Sequence, residues 1–157
     1  MGLFDIFKGI AGTADERTVQ KHAERVMDKR AMSPDRFASI EFLCKLGTPE
    51  AWRAALARYN FSVDPSITDR EEKQYIFEAV IGSPEKSVEP VREYLRSANA
   101  LNWPLKMLRT MLEPEDFIGE VLDYLSTFDT GYEKNAERKA ELIMAVEEPV
   151  DARVPAV

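Results

Sequence analysis

Two side chains stand out for their reactivity: His22 is the only histidine of the chain and Cys44 the only cysteine. One histidine without neighbouring cysteines cannot make a zinc site, and with no nucleophile beside it in the chain it outlines no triad. A structural role at the surface or half-buried is the expectation for His22. Cys44 follows Leu43 in an apolar helical pattern and reads as a buried structural thiol. A lone cysteine also rules out an internal disulfide, which fits an intracellular, cytoplasmic setting. Carboxylates stand in pairs, as in Glu71 with Glu72 and Glu147 with Glu148. Neighbours in a helix point apart, so these are solvated charges and not an acid–base dyad. The chain holds no phosphate-cradling glycine loop, no His/Cys pair at metal spacing and no Gly-x-Ser-x-Gly elbow. The expectation is a protein without catalysis, cofactor or metal.

Binding chemistry is better represented. Tyr59, Tyr94 and Tyr124 each fall ten residues after a proline, which places them at one structural position in three related segments. The prolines lie in Leu46-Gly47-Thr48-Pro49-Glu50, Ile81-Gly82-Ser83-Pro84-Glu85 and Met111-Leu112-Glu113-Pro114-Glu115. Aligned on them, Phe42, Phe77 and Met107 share a column, as do Ile40, Tyr75 and Leu105, and Leu56, Val91 and Val121. The prolines recur 35 and then 30 residues apart, in the range of helical solenoid repeats. Local chemistry explains the motif. Thr48 and Ser83 can cap a helix with a side-chain oxygen, proline in the first turn loses no hydrogen bond, and glutamate suits the positive helix end.

The run from Asp35 to Ala51, with Arg36, Ala38, Leu46, Gly47, Pro49, Glu50 and Ala51, resembles the short bacterial form of the HEAT repeat. The second copy keeps Ile76, Ala79, Ile81, Gly82, Pro84, Glu85 and Val91, and the likeness spans about Ser33 to Phe128. It implies an all-α fold, a right-handed α-α superhelix of about three helical hairpins with capping helices. It also implies that the second helices line a concave surface where a partner docks. That surface would offer Arg53 and Arg58, then Arg92, Glu93 and Arg96, then Glu120 and Asp123, running from basic to acidic. Arg58, Arg92, Tyr94 and Arg96 are its candidate partner-binding residues. The tyrosines would either stack as half-buried rings, the favoured role, or present their hydroxyls along the inner face.

The rest of the chain arranges itself around these hairpins. Residues 13–147 form the repeat domain, between an amphipathic segment at 1–12 and a tail at 148–157. A helix from Asp15 to Met32 would cap the stack, burying Val19, Ala23, Val26 and Met27. Ser33-Pro34 opens the first hairpin by cap and proline. Phe61 to Ile67 is the longest connection, its apolar residues tucked against the body, and Thr68-Asp69-Arg70-Glu71 reads as a capping box. Trp103-Pro104 opens the third hairpin, with Trp103 packed over the preceding turn. Its second helix would turn Ile118, Val121, Leu122 and Leu125 inward. A closing helix to Val146 has Ala140, Ile143 and Met144 on one face, and the tail after Pro149 frays.

Composition separates the partner classes. Hydrophobic residues at 45% with charged residues at 31% describe a folded, soluble domain. The net charge of -7 is concentrated after Glu113, and such a surface repels phosphate backbones. Nucleic acid is therefore disfavoured and a protein partner favoured. In the first dozen residues Leu3, Phe4, Ile6, Phe7 and Ile10 share a helical face, with Asp5 and Lys8 opposite. This segment is too short to span a bilayer. It can cap the first helices, anchor to a membrane or partner, or fray, so Phe4 and Phe7 join the candidate binding residues. The function expected is a non-enzymatic interaction module or adaptor. The alternatives are a HEAT-like enzyme of the DNA-alkylation glycosylase or phycobilin lyase type, or a peripheral membrane adaptor acting through residues 3–10.

Overall fold

Pro49, Pro84 and Pro114 each occupy the first position of a helix. The computed structural model describes residues 16–128 and 136–147. Every regular element among them is helical and none is a strand. In chain order they are α1 (16–27), α2 (Ser33–Leu46), α3 (Pro49–Leu56) continued by a 3-10 turn over Ala57–Asn60, and α4 (Ser66–Ile81). Then come α5 (Pro84–Ser97), α6 (Asn102–Met111), α7 (Pro114–Ser126) and α8 (Ala136–Glu147). The expectations for the N-terminal dozen and for the tail lie outside the described residues. The chain divides into two compact units, with the boundary at Pro90 inside α5.

In the first unit α2 packs on α3 and α4. Ile40 and Leu43 of α2, Trp52, Ala55 and Leu56 of α3, and Ile76 and Val80 of α4 are buried there. Thr48 caps α3 as its type predicts, its Oγ1 accepting from the Ala51 amide at 3.2 Å. Gly47 ends α2 at φ 62°, the left-handed conformation that glycine adopts without strain. Ser87 donates its hydroxyl to the Val80 carbonyl at 2.7 Å, tying the start of α5 to the end of α4.

Several expected starts and faces differ. Helix α1 ends at residue 27, five short of Met32, and of its apolar stripe only Val26 is fully buried while Met27 is 43% exposed. The N-cap position of α2 is Met32 and has no side-chain cap. The capping box at Thr68 does not form, because α4 begins two residues earlier and Asp69 turns inward to accept from arginine, lysine and a loop amide. Phe61 is buried as predicted, but Ile67 lies exposed on the first turn of α4.

In the second unit α7 packs on α6 and α8. Phe117 and Val121 are the buried residues of α7, whereas Leu122 is exposed. In α8 the buried residue is Leu142, and Ile143 and Met144 face outward. Both shifts have one cause: a short helix with apolar residues around half its circumference has two usable faces, and the neighbour selects between them.

Three charged side chains tie α8 to its neighbours. Arg138 Nη2 donates to the last carbonyls of α5, Leu95 at 3.1 Å and Arg96 at 2.8 Å. Glu141 accepts the amide of Leu101, which precedes α6, at 2.8 Å. Arg109 of α6 donates to the Ala145 carbonyl at 2.5 Å. Each pairing sets a charge against the helix end of opposite partial charge.

Candidate functional site

Four of the six residues singled out from the sequence lie among the described residues. Arg58 is fully buried. Its Nε donates to Glu72 Oε2 at 2.6 Å, its Nη2 to Asp69 Oδ1 at 2.8 Å and its Nη1 to the Phe61 carbonyl at 2.9 Å. The guanidinium carbon sits 4.5 Å from the centre of the Phe61 ring. Arg36 approaches Glu72 from α2, its Nε donating to both carboxylate oxygens at 3.0 and 2.9 Å. Lys73 Nζ closes the cluster on Asp69 Oδ2 at 2.7 Å. The planar fork of arginine explains why this position is internal, since it can satisfy two carboxylates and a carbonyl at once.

Arg92 of α5 is half-exposed and forms a two-bond pair with Glu120 of α7, its Nε donating to Oε2 at 3.0 Å. Arg96 is exposed and Tyr94 half-buried. Burial pushes the Tyr94 hydroxyl up to about 12, so it stays protonated. The basic-to-acidic gradient expected along the second helices is therefore broken, by burial at Arg58 and by pairing at Arg92. Phe4 and Phe7 lie outside the described residues. The tyrosine hydroxyls of Tyr59 and Tyr124 are spent on carbonyls, that of Tyr59 on Lys73 at 2.6 Å and that of Tyr124 on Arg96 at 3.3 Å.

His22 has a neighbour that sequence spacing did not reveal. Its Nδ1 lies 3.0 Å from Ser39 Oγ of α2, and its ring stacks on Phe42 with centroids 4.1 Å apart. A Ser–His contact is the arrangement that activates a nucleophile. Here Ser39 is fully buried and beyond the reach of any substrate. Burial, then the charges of Arg25 and Lys21, lower the imidazole below its ordinary value and favour the neutral ring. Burial likewise pushes the Cys44 thiol up to about 12, far from the reactive thiolate. Among the described residues no group of three or more His, Cys, Asp or Glu could hold a metal ion.

Among the described residues a groove of about 730 Å³ lies in the first unit. Helix α1 lines it with Val19, Ala23 and Met27, the end of α2 with Leu46 and α3 with Ala54. Val19, Ala23 and Met27 repeat every four residues, so they make one row along α1. Leu46 is 40% exposed, whereas Ile81 and Met111, its counterparts in the aligned copies, are half-buried. Carboxylates of Glu16, Glu24 and Glu50 stand around the apolar row. Gln20 donates to Glu24 at 3.2 Å, and Glu50 pairs loosely with Arg53 at 3.7 Å. The signal for the groove is present in the sequence as the α1 stripe, whose periodicity alone predicts a core face.

No family model, curated protein or solved structure matches the chain. The site's own geometry therefore carries the functional argument. Among the described residues no helix is long and apolar enough to cross a membrane.

Proposed function

We propose that the chain is a non-enzymatic interaction module of the cytoplasm, a short HEAT-like solenoid of helical hairpins that docks an amphipathic helix of another protein. The observation that carries this reading is the apolar row Val19–Ala23–Met27–Leu46, open to solvent and edged by three glutamates. Exposed apolar rows with a charged rim are how helix-in-groove sites look before they are filled. The rim specifies the partner's chemistry: leucine or phenylalanine at helical spacing, flanked by lysine or arginine. Its charges would speed encounter and fix register more than they would add affinity.

The test is a titration of the full chain with a fluorescent synthetic helix bearing leucines on one face and lysines at its margins. Binding should weaken as salt rises, and Leu46→Lys should reduce it at least ten-fold with the far-ultraviolet spectrum unchanged. Equal affinity for the parent and Leu46→Lys chains would remove the groove from the account.

A further inference from the structure

The second unit carries two surfaces of matching chemistry. We infer that α7 of one copy docks in the groove between α6 and α8 of another, so that the chain associates head to tail through its second unit. The contact uses no residue of the first unit, and it stands whether or not the groove there takes a partner.

The α6–α8 groove has a volume of about 390 Å³. Leu105 of α6 with the exposed Met144 and the half-buried Ala145 of α8 give it an apolar lining. Lys106 and Arg109 set two positive charges along its α6 side. The one carboxylate among its described lining residues, Glu141, is held by the Leu101 amide. Such a trough selects an apolar helix face with an acidic margin. The outer side of α7 is of that kind. Ile118, Leu122 and Leu125 make one stripe at helical spacing, Leu122 exposed and the other two half-buried. On its solvent side stand the exposed Glu115, Asp116 and Asp123, and α7 contains no lysine or arginine. The lengths agree, since Ile118 to Leu125 and the α6 row from Asn102 to Arg109 each span roughly 10 Å. Gly119 lies mid-helix beside the stripe, and a Cβ there would meet no described atom within 4 Å. Glycine weakens a helix relative to alanine, and no packing among the described residues requires it here. A second helix crossing α7 closely would require it.

The described groove lining comes from α6 and α8 alone, so the two surfaces share no residue. The contact is therefore not self-complementary: each copy gives its α7 to one neighbour and its groove to another. Contacts of this kind continue into open chains or close as rings, depending on the rotation between copies. One helix face in one groove is a small interface, of the weak and transient class. The net charge of -7 also sets copies against each other. Association is thus a property of high protein concentration, and the pairing of acid with base fixes which faces meet.

Sedimentation velocity on the full chain tests this. The mean mass of the parent should rise as its concentration approaches roughly 1 mM. Leu122→Arg blocks the α7 stripe and Met144→Glu blocks the groove. Each variant alone should associate at least ten-fold more weakly, with its far-ultraviolet spectrum unchanged. Mixed in equal amounts, the two should form a one-to-one dimer and nothing larger, because each keeps the surface that the other lacks. If either variant loses helicity, Asp123→Lys and Lys106→Glu, which reverse exposed charges, take their places with the same expected result. A parent chain still monomeric at roughly 1 mM would overturn the inference. Binding of a synthetic acidic helix to that monomer, abolished by Met144→Glu, would then assign the groove to a different protein. Association that survives both substitutions would place the contact elsewhere, and loss in each variant without recovery in the mixture would mean a symmetric contact. Either result would overturn the inference as well.

Discussion

Glu72 of α4 lies with both carboxylate oxygens on the Nε of Arg36 in α2, 36 residues earlier, and the two side chains are 1% and 3% exposed. Arg58 completes the cluster from the 3-10 turn after α3, so one carboxylate joins three elements of the first unit. Burying charges costs several kcal/mol per ion before the pairing offsets it. The cluster is therefore a device for register more than for net stability.

That account predicts an asymmetry. Glu72→Gln should destabilise the chain by about 3–5 kcal/mol, since Arg36 loses its counter-charge inside the fold and Arg58 keeps only Asp69. Replacing Arg36, Arg58 and Glu72 together by methionine and leucine should cost far less or nothing. Urea denaturation of the two variants measures both. A Glu72→Gln cost under about 1 kcal/mol would show that the cluster is hydrated in solution.

The acid limb of stability should trace partly to Asp69. Burial raises its carboxyl, but hydrogen bonds from Lys73, Arg58 and the Val63 amide, with the Arg58 charge, outweigh that and hold it below its ordinary 3.8. The folded chain then binds this proton less readily than the unfolded one. The stability it contributes is complete above pH 3.8 and is lost as the pH falls below that value toward the folded-state pKa. Asp69→Asn should be less stable at neutral pH and should show a shallower decline between about pH 5 and 3. Parallel pH profiles for the two chains would contradict this.

Trp52 offers a test of packing against hydrogen bonding. Its side chain is 1% exposed and its indole N–H finds no acceptor among the described residues. Trp52→Ala should cost about 3–5 kcal/mol by opening a cavity. Trp52→Phe gives up less volume and removes an unsatisfied donor worth about 1–3 kcal/mol, so its net cost should stay within about 1 kcal/mol. A Phe variant as unstable as the Ala variant would mean that the N–H is paired in solution.

Arg138 should govern how firmly α8 is held, because Leu142 is the one fully buried described residue of that helix and Arg138, Glu141 and the Ala145 carbonyl make polar ties. Arg138→Ala should release α8 with a local cost of about 1.5–3 kcal/mol, the range for hydrogen bonds from a charged donor. Amide exchange in α8 should quicken by ten-fold or more, while α2 and α4 of the first unit keep their protection. Uniform acceleration along the chain would show instead that α8 opens only with the whole.

What the sequence determined by itself was local. The starts of α3, α5 and α7 at Pro49, Pro84 and Pro114, the threonine cap at Thr48 and the all-helical class all follow from neighbours a turn away. Backbone sterics and capping act at that range, so a linear reading captures them. Tertiary structure decided which charges and which faces go inside. Arg58 and Arg92 read alike as basic residues of second helices, yet Glu72 and Asp69 draw the first into the core and Glu120 holds the second at the surface. Val19, Ala23 and Met27 read as core, yet they line an open groove. Leu142, not Ile143 or Met144, closes α8. In each case the deciding partner stands many residues away, and the periodicity of a single helix holds no record of it.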